Sequence, residues 1–94
     1  MQIVASYAVS SGGRAYNDGQ YQDAYNVLKL AADFDIDDLY VGTTQYYMGL
    51  LYFYGHAVKQ DKDIAERYFK KASERKNEDA IEYFKKKAQG IPIR

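Results

Sequence analysis

Residues 44–72 read TQYYMGLLYFYGHAVKQDKDIAERYFKKA, and two helical faces can be traced through them on either side of a glycine. Up to Tyr54 the residues are apolar nearly all round: Tyr46, Tyr47, Met48, Leu50, Leu51, Tyr52, Phe53 and Tyr54. A helix with no polar face has to be surrounded by other elements. Gly55 marks a turn, HAVKQD follows, and Asp61 or Asp63 supplies the side-chain acceptor that opens a helix. This next helix buries Ile64, Ala65, Tyr68, Phe69 and Ala72 and exposes Glu66, Arg67, Lys70 and Lys71. The stretch therefore predicts a packed helix pair, whose first member, about 39–54, is central.

Working outward, Ile3, Tyr7, Ala8, Ala15 and Tyr16 recur at near-helical spacing between Ile3 and Asp18. Gly12 and Gly13 weaken that helix by about 1 kcal/mol each, which tight packing against the next pair would explain. Asn17, Asp18 and Gly19 end it. Tyr21, Ala24, Tyr25, Leu28 and Ala31 then trace one face of a second helix, with Gln22, Asn26 and Lys29 opposite. So short a connection makes the two antiparallel. The acidic connector DFDIDD, 33–38, alternates aspartates as a calcium loop does. Asp38 stands where such a loop needs glycine and Thr44 where it needs a bidentate glutamate, so capping by Asp37 or Asp38 is the better account. At the other end Asn77 caps a last helix, with Glu78 and Asp79 in its first turn, Lys85, Lys86 and Lys87 near its end, and Gly90 and Pro92 beyond.

Laid on itself, the chain repeats. Ala8, Thr44 and Ala80 are 36 residues apart, as are Gly13 and Gly49, Tyr16 and Tyr52, Gly19 and Gly55, and Tyr47 and Tyr83. In the second helices Ala24, Val27, Leu28 and Ala31 match Ala65, Tyr68, Phe69 and Ala72 at a spacing of 41, so the second turn carries a five-residue insertion. A period in the mid-thirties with fixed small, aromatic and glycine positions is what stacked helix pairs require. The pattern Thr44, Met48-Gly49, Leu51-Tyr52, Gly55, Val58, Asp61, Ala65, Tyr68-Phe69 and Ala72 resembles the tetratricopeptide-repeat superfamily, in its Sel-one-like branch. It departs at Met48 and Ser73, where leucine and alanine are usual. The resemblance implies an all-α, right-handed solenoid of antiparallel helix pairs with about five helices, in a scaffold or adaptor role. One domain, 1–94, would hold repeat one at about 3–33, repeat two at about 39–75 and a half-repeat cap at about 77–89.

Composition narrows the function classes. Lysine plus arginine and aspartate plus glutamate are both 13, so the balanced charge argues against nucleic acid and anionic membrane as partners. Residues 1–58 carry six acidic and two basic side chains and residues 59–94 seven acidic and eleven basic, which gives net charges of −4 and +4. Lys85 to Lys87, with Lys70, Lys71, Arg75 and Lys76, read as a solvated cluster favoured by a helix C-terminus. With no cysteine and a single histidine, His56, the chain has no zinc-ligand set and no cysteine nucleophile. Its serines sit in no nucleophile-elbow context, and capping accounts for the carboxylate pairs. No catalytic, metal or cofactor site is therefore expected. No apolar run is long enough to span a bilayer, and the N-terminus lacks the basic and apolar regions of a secretion signal. The cytoplasm is the expected location, although a signal already removed would leave no trace.

Register then picks a binding surface. With Thr44, Met48, Leu51 and Tyr52 turned to the core of the central helix, Tyr46, Leu50 and Phe53 form the opposite stripe. The equivalent positions 36 residues away are Ser10, Arg14 and Asn17 on one side and Glu82, Lys86 and Gln89 on the other. An aromatic strip with polar and charged flanks has the composition of a recognition patch. The expected function is a non-enzymatic protein-protein interaction module that binds one protein or peptide through its inner groove at Arg14, Asn17, Tyr46, Leu50, Phe53 and Lys86. Such a module would be a small bacterial or phage adaptor, inhibitor or immunity-type protein. The alternatives are that the stripe packs under neighbouring helices, that it is buried in a homodimer, or that copies join acidic end to basic end. A hydrolase of the kind credited to some cysteine-rich Sel-one-like proteins is the remaining alternative.

Overall fold

A computed structural model describes residues 11–32 and 39–90. Helical backbone over 11–17 forms α1, and it is followed by α2 (Tyr21–Ala32), α3 (Leu39–Tyr54), α4 (Lys62–Glu74) and α5 (Glu78–Ala88). No strand occurs among the described residues. The acidic connector 33–38, with the capping expected of Asp37 or Asp38, lies outside them, as do Ser10 and the start of repeat one.

Local chemistry explains the helix ends. Gly19, Gly55 and Gly90 follow α1, α3 and α5 with φ of 81°, 73° and 74°, the left-handed conformation glycine adopts without a Cβ clash. Of the two aspartates that could cap α4, Asp61 does so: its carboxylate accepts from the Ile64 N–H at 3.0 Å. Asn77 caps α5, accepting from the Ala80 N–H at 2.9 Å. The long α3–α4 turn is tied back to the carbonyls that end α3, which have no partner within the helix. The His56 N–H donates to the Leu51 carbonyl at 2.9 Å and the Asp61 N–H to that of Tyr52 at 3.0 Å. The Gln60 side-chain amide donates to the Phe53 carbonyl at 2.8 Å. Five inserted residues thus become a structured turn, at the cost of a left-handed Ala57 with φ of 66°.

Among the described residues, two apolar clusters join the helices. Ala15, Ala24, Leu28, Met48 and Leu51 form one, joining α1, α2 and α3. Phe53, Ala65 and Phe69 form the other, with Tyr83 and Phe84 of α5 packed on it. Tyr52 touches both. α3 is the shared wall, as an all-apolar helix must be. Its buried residues include Val41, Thr44, Gln45, Met48, Leu51 and Phe53. The Thr44 hydroxyl satisfies itself on the Val41 carbonyl at 2.8 Å. Gln45, 4% exposed, was not among the expected core residues, and its Oε1 has no hydrogen-bond partner.

The two helix glycines expected to pack against the next pair do different things. A side chain at Gly12 would meet Leu28 of α2, within its own pair, with Cγ at 2.5 Å. A Cβ added at Gly13 would lie 3.5 Å from the Tyr47 ring of α3, an ordinary contact distance.

Candidate functional site

The open side of α3 follows from its buried side. At about 100° per residue, the buried residues from Val41 to Leu51 gather on one half of the helix, which leaves Tyr46, Leu50 and Tyr54 along the other. Tyr46 and Leu50 are half-buried because each packs in part on the cluster of Phe53, Ala65 and Phe69, as the alternative of a stripe lying under neighbouring helices has it, whereas Tyr54 is 40% exposed. Phe53, one position from Tyr54, is 9% exposed and belongs to the second apolar cluster. Its ring meets Tyr83 edge-on at 5.9 Å, and the Lys62 ammonium sits 5.1 Å from its centroid. Of the three residues expected to line the stripe, Phe53 is thus turned into the α4–α5 side, and Tyr54 occupies the open position.

The structure brings Tyr46, Leu50 and Phe53 into one cluster and keeps the flanking residues apart from it. Arg14 is exposed on α1 beside a hollow of about 290 Å³ that it lines with Ser11, Ala15, Asp18 and Gln20. Asn17 is exposed at the end of α1 and Lys86 on the last turn of α5.

What gathers around Tyr46 and Tyr54 is a set of tyrosines and the single histidine. Tyr16 of α1 lies 5.3 Å from Tyr21 of α2 and 5.4 Å from Tyr47 of α3, and Tyr47 in turn lies 6.3 Å from Tyr46. The His56 imidazole stacks on the Tyr21 ring at 3.9 Å and 7° and lies 5.9 Å from Tyr54. Burial pushes the Tyr16 hydroxyl up to about 12, with smaller contributions from Tyr21, Tyr54, Tyr46 and Tyr47. Burial, then the Asp79 carboxylate, raises Tyr46 as well. These hydroxyls are therefore protonated at neutral pH, each both donor and acceptor on a flat apolar ring.

The arrangement suits recognition better than chemistry. Rings that are already packed against one another lose little freedom when a partner covers them, and their hydroxyls provide directional bonds. His56 has ring neighbours and no second imidazole or thiol in the chain to work with. Among the described residues no three His, Cys, Asp or Glu side chains are grouped to hold a metal ion. No helix among them is long and apolar enough to cross a membrane.

Tyr16, Tyr21, Tyr47, Tyr54 and His56 were not among the residues expected at the site. The repeat concealed Tyr16, because its equivalent, Tyr52, reads as core. Tyr21 and His56 meet only because the second turn is longer than the first. No protein-family model matches the chain, and no curated protein or solved structure matches it.

Proposed function

We propose that this chain is a non-enzymatic protein-binding module, a short right-handed stack of antiparallel helix pairs with the tetratricopeptide, Sel-one-like arrangement. It receives one protein or peptide on the tyrosine-lined side of α3. The observation that carries this reading is the run of packed, half-buried rings Tyr16, Tyr47 and Tyr46, with the exposed Tyr54 and its neighbour His56 on the same helix and turn. Tyrosine is enriched where binding energy concentrates, since it covers a large apolar area and still satisfies a polar tip. An adaptor or an inhibitor of immunity type fits a domain too short to assemble many partners at once. The absence of cysteine and of a second histidine supports the non-enzymatic part.

Tyr54→Glu and Tyr46→Ala test the surface directly. Affinity capture from cells of the natural source, followed by mass spectrometry, should recover a partner with the wild-type chain and lose it with either variant. Circular dichroism should show both variants folded. A partner captured equally well by both would remove the surface from the proposal.

A further inference from the structure

The turns of this protein form an edge whose charge runs in one direction. At one end, where α1 stops and α2 begins, Asp18 and Asp23 are exposed, and Arg14, one turn back on α1 in the same hollow as Asp18, offsets them only in part. In the middle the α3–α4 turn brings His56 face to face with Tyr21 at 3.9 Å, with Tyr54 beside it. There Lys59 and Lys62 offset Asp61 and Asp63. At the far end the last turn of α5 carries Lys85, Lys86 and Lys87, and the Lys87–Glu66 ion pair places that turn against the first turns of α4. Tyr21–His56 joins the first turn to the second, and the Lys87–Glu66 and Phe53–Tyr83 contacts join the second to α5, so the order acidic, aromatic, basic is continuous.

A strip ordered in this way is complementary to itself after a half-turn about its centre. The acidic end of one copy then meets the basic end of the other at both extremes, and the rings of the two copies face each other between them. This is the condition for a closed, isologous interface. We infer that the edge is a two-fold self-association surface whose occupant is a second copy of this chain, with Asp18 and Asp23 opposite Lys85 and Lys86 of that copy. The inference stands on the edge charges and does not depend on the inner-surface reading. The contacts at both ends are between exposed charged side chains, so the association answers to salt.

Sedimentation of the full chain, from about 10 μM to about 1 mM and in about 0.01 M salt, should show the mass rising from 10.8 kDa to twice that value and stopping there. In about 1 M salt, where charges are screened beyond about 3 Å, the dimer fraction should fall. Asp18→Lys with Asp23→Lys places like charges at both contacts, as does Lys85→Glu with Lys86→Glu, so each double variant alone should remain monomeric. Mixed in equal amounts, the two should form a heterodimer, because both contacts are then of opposite sign. The four positions are exposed, and circular dichroism verifies that each variant is folded. A wild type that stays monomeric throughout overturns the inference, as does growth past the dimer, which would mean head-to-tail addition. A mixture that fails to associate overturns it equally.

Discussion

Alanine at Gly49 and alanine at Gly13, the same change at positions 36 residues apart, should move stability in opposite directions. A Cβ at Gly49 would stand 2.5 Å from Cδ1 of Phe69, where carbon atoms normally keep about 3.5–4.0 Å. The ring would have to retreat by about 1 Å, and it has nowhere to go. Phe69 is 1% exposed, with Tyr83 at 4.5 Å, Tyr46 at 5.5 Å and Phe53 at 6.2 Å between centroids. Overpacking of this kind costs about 1–3 kcal/mol, and so confined a ring belongs at the upper end. Alanine returns about 1 kcal/mol in helix propensity, which leaves Gly49→Ala about 2 kcal/mol less stable than wild type. At Gly13 the nearest atom of Tyr47 would be 3.5 Å away, so the propensity gain of up to about 1 kcal/mol survives. At about 4–8 °C per kcal/mol for a domain of this size, the Gly49 variant should melt about 8–16 °C lower and the Gly13 variant at or slightly above wild type. Thermal unfolding followed by far-ultraviolet circular dichroism measures both. A Gly49→Ala protein as stable as Gly13→Ala would show that Phe69 is not seated over α3 as described.

The attachment of α5 should respond to pH from both sides. Glu66 accepts from Lys87 and from the Tyr83 hydroxyl at 2.8 Å, and chiefly the Lys87 bond holds its carboxyl below the usual range. Its contribution is therefore present above the unfolded value of about 4.3 and is lost as pH falls through the folded one, so Glu66→Gln should flatten the acid limb of a stability–pH curve. Burial first, then the Glu66 bond, raises Tyr83 to about 12, so its contribution holds below about 10 and is lost as pH rises from there towards about 12. An ultraviolet alkaline titration should find Tyr16 and Tyr83 ionising after the exposed tyrosines, and a single uniform step would contradict both environments. Asp61→Ala and Asn77→Ala each remove a capping acceptor and should each cost about 1 kcal/mol in urea unfolding. Substitution at Asp63, which caps nothing, serves as the comparison.

These sites differ in how far the sequence disclosed them. Helix ends were legible because a cap or a left-handed glycine needs a particular residue at one local position, as at Asn77 and Gly90. The choice between Asp61 and Asp63 required the turn, since the Asp61 N–H is anchored on Tyr52. The buried faces of α2 and α4 were legible from their polar opposites, and Ala24, Leu28, Ala65, Phe69 and Ala72 are all buried as their spacing indicates. For α3 the same reasoning lost its phase. A helix apolar on every side has a period without a marked origin, so Phe53 and Tyr54, about 100° apart, could not be told apart. The His56–Tyr21 stack depends on where a longer turn folds back, and no repeat-equivalent position exists to suggest it.

The two sides of α5 carry opposite chemistry. Tyr83 and Phe84 pack on the cluster of Phe53, Ala65 and Phe69 that Tyr46 and Leu50 also join, while Glu82, Lys86 and, just past the helix, Gln89 are exposed. Peeling α5 away would bare rings to water, so this short helix works as a shutter over the second cluster, with its polar face turned outward.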